Sequence, residues 1–259
     1  GPGCPVCVTD QIYMDKALAY AERDDIIIAT FGDMLKVPGS YSNLSEAQTK
    51  GAHIHVIYTP LEVLELSKCH PDKKIVFLAI GFETTIAVIG ATVKAVHAAG
   101  IKNVFFLVSH KLVPPALRAL LDRQEGRIDG FILPGHVSVI IGEEPYRFLP
   151  EEYHIPSCIA GFDGVEILSA IVNILEQRSS GKFIVGNTYH SVVMQQGNPI
   201  AQAMMREVYD VCDDTWRGIG VISRSGLVLK GEYAAYDAEL AMPIVLEKPS
   251  LDPKGCQCG

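Results

Sequence analysis

The sequence lacks any hydrophobic run long enough to cross a membrane. Its strongest apolar runs are 75–82 and 84–93, with Glu83 between them, and each is far shorter than the ~18 residues of a membrane-spanning helix. No basic segment followed by an apolar one precedes the first predicted element, so an export signal is not indicated. We therefore expect no membrane association.

The sequence also lacks a concentrated basic segment. It has 22 Lys and Arg against 30 Asp and Glu, a formal net charge of −8, and no run of basic residues. Binding to a phosphate backbone requires a concentrated basic face, so nucleic acid is excluded as the main partner. Hydrophobic residues make up 48% of the 259 residues, which predicts one or two globular domains with a substantial core.

A disulfide framework is absent too, because seven cysteines are an odd number scattered over a long chain. We therefore expect a reducing, cytoplasmic location. Two close pairs stand out, Cys4 with Cys7 and Cys256 with Cys258, and the chain begins in one of these motifs and stops just after the other. This placement predicts an internal fragment of a longer protein. The remaining cysteines are isolated in the sequence: Cys69, Cys158 and Cys212. An isolated free cysteine is most often a small buried hydrophobic side chain, so we assign these three no function.

Apolar runs alternate with amphipathic stretches, which is typical of strands and crossover helices in a parallel sheet. The predicted helices cover 10–23, 45–50, 60–68, 84–99, 114–123, 164–177 and 199–209. The predicted strands cover 25–30, 53–58, 74–80, 103–109, 129–133 and 156–160. The sequence thus predicts an α/β fold.

Two polar, helix-breaking segments divide this pattern, at 70–73 and at 178–181. They predict a first α/β domain at 1–70, a second at 71–180 and a less regular return segment at 181–259. Distant parts of the chain could exchange strands between the two domains.

Loops that follow the carboxyl ends of strands line the ligand crevice in open α/β sheets. Five such loops combine glycine or a strand end with polar residues: 31–38, 81–85, 109–111, 134–138 and 161–164. Glycine lets a backbone approach a ligand closely, while the polar side chains point into the crevice. We therefore predict a ligand-binding cleft.

In the loop 81–85, Thr84 and Thr85 stand at a helix start, where free N–H groups favour an anion. We expect Glu83 to be ionised there, either as a functional group or only as a complement to the helix dipole.

His110 and His136 both follow predicted strands. They are candidate proton carriers because imidazole titrates near neutral pH, although a lone histidine is more often structural. His53 and His55 share a strand face without an apparent third ligand, so a metal site there is not favoured.

The motif Cys4-Pro-Val-Cys7 directly precedes a predicted helix, whose N-terminus favours thiolates. One interpretation is a redox-active dithiol, as in general thiol–disulfide oxidoreductases. A second is a structural zinc site completed by Cys256 and Cys258, although Cys-x-Cys is a less usual zinc spacing. The C-terminal pair also suits iron–sulfur ligation, which would require further cysteines beyond Gly259.

Together these motifs resemble the HypD family of hydrogenase maturation factors. The resemblance runs over essentially the whole chain, in the ordered segments 1–7, 31–40, 81–85, 108–115, 133–142, 187–198, 216–227 and 252–259. Two departures stand out: Ile86-Ala87, where the family usually has Ala-Pro, and Gly164, where it usually has Pro.

The resemblance implies a cytoplasmic protein of two parallel-sheet α/β domains facing across a cleft, with a C-terminal part that binds a 4Fe-4S cluster. It implies a scaffold that works with the small protein HypC and carries an iron ion while cyanide and carbon monoxide are added, giving Fe(CN)2CO. HypE would deliver the cyanide, and the large subunit of nickel–iron hydrogenase would receive the product. The family's N-terminal iron-binding segment and the remaining cluster cysteines would lie outside this chain.

Carried over by position, Cys4 and Cys7 match the redox-active pair of the family. The other matched positions belong to its cleft motifs: Gly81, Glu83, Thr84, Thr85, His110, Pro134, Gly135, His136 and Ser138. Cys256 and Cys258 fall where cluster ligation begins. The resemblance therefore implies an assembly scaffold with a dithiol relay, and the general oxidoreductase is the alternative.

Overall fold

The computed structural model describes residues 4–123 and 128–246. Its helices are α1 Gln11–Ala21, α2 Leu44–Thr49, α3 Glu62–Cys69, α4 Glu83–Ala98, α5 Val113–Asp122, α6 Gly135–Ile141, α7 Phe148–Glu152, α8 Gly164–Ser180, α9 Pro199–Val208 and α10 Ala238–Ala241. Its strands are β1 Ile26–Thr30, β2 Ile54–Val56, β3 Lys74–Gly81, β4 Val104–Lys111, β5 Phe131–Pro134, β6 Ser157–Ala160, β7 Val185–Asn187, β8 Tyr209–Trp216 and β9 Gly220–Leu229. Short 3-10 helices cover Gly32–Lys36, Glu144–Tyr146 and Gly231–Tyr236. The predicted α/β class is confirmed.

The chain forms two compact units, and each is described by itself. The larger unit contains Cys4–Gly81, Thr85–Lys111 and the described residues from Met205 onward. The smaller unit contains Phe82–Thr84 and Leu112–Met204.

The larger unit is built on a six-stranded sheet in the order β2-β1-β3-β4-β9-β8. The first four strands are parallel, as predicted, and every residue of β1 is buried, as expected of a strand covered on both faces. The sheet is nevertheless mixed, because β9 runs antiparallel to β4 and to β8. A tight turn joins β8 to β9, with Gly218 and Gly220 at positive φ, and such a turn can only return the chain antiparallel.

The core of the larger unit is closed by chain from both ends of the sequence. Tyr20 in α1 is fully buried, and its hydroxyl donates to the carbonyl oxygens of Ala238 at 2.9 Å and Met242 at 2.8 Å. These bonds satisfy the one polar atom of a large buried aromatic side chain. They fix the segment after β9 against the first helix.

The smaller unit is built on the parallel sheet β5-β6-β7, covered by α8. Ala170 and Ile174 of α8 pack on Cys158 and Ala160 of β6. Both ends of α8 carry strong local signals. Asp163 and Glu166 form a capping box at its start, and Gly181 ends it at φ +66.

The division into units differs from the predicted boundaries at 70/71 and 180/181. Ile28 of β1 lies beside Val76 of β3, so strands on both sides of the 70–73 segment belong to one sheet. The smaller unit occupies most of the chain between β4 and β8, and the chain then returns to complete the larger sheet. The predicted cleft between two domains stays a prediction. Among the described residues no helix has the length and apolar character needed to cross a membrane.

Candidate functional site

The predicted site residues divide between the two units. The larger unit holds Cys4, Cys7, Gly81, Thr85 and His110. The smaller unit holds Glu83, Thr84, Pro134, Gly135, His136 and Ser138. Cys256 and Cys258 lie outside the described residues.

Gly81 ends β3 at a position with no room for a side chain. A Cβ atom there would lie 2.6 Å from the Cβ of Thr85, which is half-buried in the first turn of α4. Glycine therefore lets the threonine side chain fold back against the strand end. Thr84 is half-buried as well.

Glu83 is the first residue of α4 and is 1% exposed. Its Oε1 accepts a hydrogen bond from the backbone N–H of Val113 at 2.9 Å, whereas its Oε2 is buried without a partner. The local sequence explains the contact: Val113 starts α5 and is followed by Pro114 and Pro115, which have no N–H. Glu83 thus caps the one backbone N–H that the first three residues of α5 offer.

Glu83 was expected to be held ionised at the helix start, but its pKa is raised and not lowered. Burial raises its pKa to about 7, and the backbone N–H groups of Glu83 itself and Val113 offset this only in part. Burial outweighs the helix dipole here because a carboxylate with a single strong donor recovers little of its lost hydration. Glu83 therefore titrates near neutral pH.

Ser138 and Tyr146 form a buried polar cluster with the strand end at Pro134. Ser138 Oγ donates to the carbonyl oxygen of Pro134 at 2.8 Å and contacts the Tyr146 hydroxyl at 3.3 Å. Burial raises the pKa of Tyr146, and the charge of Glu83 raises it further. Tyr146 thus joins the surroundings of Glu83, although no sequence motif had indicated it.

Gly135 and His136 open α6, directly after β5. A Cβ on Gly135 would lie 2.3 Å from the carbonyl oxygen of Ala160 in β6, so only glycine fits between these strand ends. His136 is exposed and stacks on Phe162, with 4.3 Å between ring centroids. The loops 134–138 and 161–164 therefore do meet at one edge of the small sheet, as their positions after parallel strands predicted.

His110 lies inside the larger sheet rather than on a surface. It is completely buried in β4, both ring nitrogens lack hydrogen-bond partners, and its ring packs edge-on against Tyr209 at 4.9 Å. Burial lowers its pKa to about 3, and the neighbouring Lys111 charge adds to this. His110 is thus neutral at physiological pH, which differs from the expected proton carrier titrating near neutrality.

A buried ion pair stands next to His110, and sequence reasoning missed it. Lys111 is completely buried, and its Nζ contacts Asp214 Oδ2 at 2.5 Å and donates to the carbonyl oxygen of Thr215 at 2.8 Å. Gly226 of β9 makes room for this pair, since a Cβ there would lie 2.4 Å from the Cβ of Asp214. The signal in the sequence is a lysine that ends the strand β4, most of which is apolar.

The two cysteines of the N-terminal motif share one tight turn. The backbone N–H groups of Cys7 and Val8 both donate to the carbonyl oxygen of Cys4, at 3.1 and 3.3 Å. The buried Thr9 closes the turn through Oγ1, which donates to the carbonyl oxygen of Pro5 at 2.8 Å. Cys4 is exposed and Cys7 half-buried, ahead of α1 as predicted.

Arg217, at the tip of the β8–β9 hairpin, anchors this turn. Its backbone N–H donates to the carbonyl oxygen of Val8 at 3.0 Å, and its guanidinium donates to the carbonyl oxygen of Pro38 at 3.2 Å. The hairpin thus joins the dithiol turn to the loop 31–38. Sequence reasoning missed Arg217 as an individual residue, although it lies within the matched segment 216–227.

No group of three or more His, Cys, Asp or Glu residues within 4–123 and 128–246 is arranged to hold a metal ion. His53 and His55 are both exposed at β2. A four-thiolate zinc site would need Cys256 and Cys258, outside the described residues.

The chain is similar to a known family and to several named proteins. Residues 1–259 match the family model described as HypD, "Hydrogenase formation hypA family". The chain is 38% identical to "Hydrogenase maturation factor HypD" of Rhodobacter capsulatus, covering 100% of this chain and 70% of that protein. It is 36% identical to the Escherichia coli protein of the same name, covering 100% and 69%. It is 41% identical to a putative hydrogenase expression/formation protein of Methanocaldococcus jannaschii, covering 100% and 71%.

Proposed function

This chain belongs to the HypD family and has a role in hydrogenase maturation, and from this we propose that it is the scaffold on which iron receives its cyanide and carbon monoxide ligands. The resulting Fe(CN)2CO group then passes to the large subunit of nickel–iron hydrogenase. The iron ion is cargo of this scaffold and not a resident cofactor.

The observation that carries the proposal is the anchored turn of Cys4 and Cys7. Main-chain bonds and Arg217 hold the two cysteines at fixed positions in one turn, with Cys4 open to solvent. Thiolates are soft ligands that suit iron, and oxidation of two thiols to a disulfide releases two electrons and two protons. An iron centre that binds cyanide and carbon monoxide must be low-spin and electron-rich, so a nearby dithiol supplies what such a site needs.

The proposal includes a resident 4Fe-4S cluster that exchanges electrons with this dithiol. Cys256 and Cys258 are its candidate ligands in this chain, together with further cysteines that the chain does not contain. Thiolate clusters of this kind are the usual ligands of such centres. Iron and acid-labile sulfide analysis of anaerobically prepared protein tests this point.

The proposed partners are HypC, which shares the iron, and HypE, which delivers cyanide. Both proposals come from the family, and a cytoplasmic location goes with them. The exposed His136–Phe162 pair is a suitable contact for such a partner, because exposed aromatic side chains are enriched where proteins bind one another.

The test is an infrared spectrum of the protein, purified anaerobically with its HypC partner from cells that contain the other maturation proteins. We expect bands from iron-bound cyanide and carbon monoxide. A spectrum without these bands, from an intact complex that contains iron, would rule the scaffold out.

A general thiol–disulfide oxidoreductase is the second candidate, and the exposure of Cys4 favours it, because an attacking thiol must reach its substrate. Turnover in an insulin-reduction assay would support this candidate, and its absence would count against it. The oxidoreductase candidate gives no role to the buried Glu83, to Ser138 and Tyr146 near it, or to the ordered motifs of the smaller unit.

A further inference from the structure

Glu83 stands in an environment where a carboxylate is poorly stabilised. Its Oε1 has one backbone donor, Val113, and its Oε2 has none although both oxygens are buried. Among the described residues, no Lys, Arg or His forms an ion pair with it. An ionised carboxylate without a counter-ion is costly in such a site, so the neutral acid is favoured.

The groups that face Glu83 are themselves neutral. The backbone N–H of Val113 in α5 donates a hydrogen bond to Glu83. The phenol of Tyr146, in the 3-10 helix Glu144–Tyr146, interacts with Glu83 electrostatically. Tyr146 is completely buried and is held by Ser138 of α6. Burial raises the pKa of Glu83 to about 7, in agreement with this geometry.

A neutral carboxyl with Oε1 engaged by Val113 carries its proton on Oε2. This proton has no acceptor among the described residues, because Oε2 has no partner. A buried donor without an acceptor costs free energy, and a ligand that supplies a lone pair removes that cost. Enzymes use buried neutral carboxylic acids as hydrogen-bond donors in this way.

We propose that Glu83 binds ligand as a neutral acid, donating a hydrogen bond from Oε2 to the lone-pair end of a small linear ligand. This choice of ligand rests on the proposed function, in which the nitrogen end of an iron-bound cyanide offers such a lone pair. The bond is a hydrogen bond only; no proton is transferred. Tyr146 is a positioning residue that interacts electrostatically with Glu83, and Ser138 holds Tyr146 in place.

The protonation of Glu83 is tested on the protein without iron. Infrared difference spectra between pH 6 and pH 9 are expected to show the C=O stretch of a protonated carboxyl that disappears with a midpoint near 7. The band should be missing in Glu83→Gln. The matched control is Glu62→Gln, because Glu62 also accepts backbone N–H bonds but is only half-buried, and it should leave the band in place. A wild-type band that persists in Glu83→Gln would overturn the proposal.

The ligand contact is tested on the complex that carries the cyanide-bound iron. Exchange into D2O is expected to shift a C≡N stretching band of the wild type, and Glu83→Leu should abolish that shift. Glu83→Gln should preserve it, since the amide keeps the bond to Val113 and donates through its own N–H. A wild-type band insensitive to D2O overturns the contact without any variant, so a misfolded Leu variant cannot obscure the result.

The two proposals fail in different ways. If the wild type shows cyanide bands that neither D2O nor Glu83→Leu affects, the scaffold stands and the Glu83 contact is wrong. If the wild type shows no cyanide bands, the scaffold and the choice of ligand fail together, and the carboxyl band still decides whether Glu83 is protonated.

Discussion

Lys111 and Asp214 form an ion pair of unequal burial, with side-chain exposures of 0% and 27% and 2.5 Å between Nζ and Oδ2. The lysine ends β4, and the aspartate comes from β8, two strands away in the sheet. The pair therefore fastens the return segment of the chain to the parallel part of the larger sheet.

This inequality predicts an asymmetric response to substitution. Asp214→Ala leaves a fully buried ammonium with only the Thr215 carbonyl, and we expect it to cost about 3–5 kcal/mol. Lys111→Met leaves an aspartate that solvent still reaches, and we expect a smaller cost, about 1–3 kcal/mol. Urea unfolding measures both, with Lys68→Met in the exposed Lys68–Glu65 pair as the control that changes little. Equal costs for the two variants would contradict this view of the pair.

Gly81→Ala should destabilise the protein, because the new methyl group would meet the Cβ of Thr85 at 2.6 Å. We expect a loss of about 1–3 kcal/mol from this overpacking. Gly164→Ala is the matched control: a Cβ there meets nothing within 4 Å, and the residue starts a helix. It should be neutral or stabilising by up to about 1 kcal/mol in the same thermal or urea unfolding experiment. Similar losses in both variants would refute the steric explanation.

Glu83 and His110 should give opposite contributions to the pH dependence of stability. The folded-state pKa of Glu83 is raised to about 7, so its contribution is complete below about pH 4.5 and is lost as pH rises to 7. The folded-state pKa of His110 is lowered to about 3, so its contribution is complete above about pH 6.5 and is lost as pH falls. The two effects therefore nearly cancel between about pH 4.5 and 6.5.

Single variants should separate these contributions. In Glu83→Gln only the histidine effect remains, and the free energy of unfolding should fall steadily from about pH 6.5 towards acid. In His110→Phe the glutamate effect should appear as a fall of stability between about pH 4.5 and 7. Urea midpoints over a pH series measure both, and parallel profiles for the wild type and the two variants would show that neither group titrates as the structure indicates.

Local sequence signals predicted the longer helices and most of the parallel strands, but not the protonation of the site residues. The helix α4 was predicted to start at Thr84 and starts one residue earlier, at Glu83. The prediction was this near because the glycine and the threonines that mark the helix start are neighbours in the sequence. The protonation of Glu83 depends on Val113, 30 residues later in the chain, and on burial that no local pattern reports. The hairpin of β8 and β9 was missed because its strands are partly exposed and polar, although Gly218 and Gly220 mark its turn.

The role of the Cys4–Cys7 dithiol in hydrogenase maturation can be separated from its effect on the stability of the fold. Main-chain bonds from Cys7 and Val8 to Cys4, with the Thr9 hydroxyl on Pro5, hold the turn, so Cys4→Ser and Cys7→Ser should change the free energy of unfolding by less than about 1 kcal/mol. Hydrogenase activity in cells that carry either variant should nevertheless be lost, because a single thiol cannot form the disulfide that releases two electrons. Cys69→Ser, at an exposed cysteine ending α3, should mature hydrogenase normally. Normal maturation in both turn variants would remove the relay, whereas failure of the Cys69 variant as well would show that the assay reports cysteine loss in general.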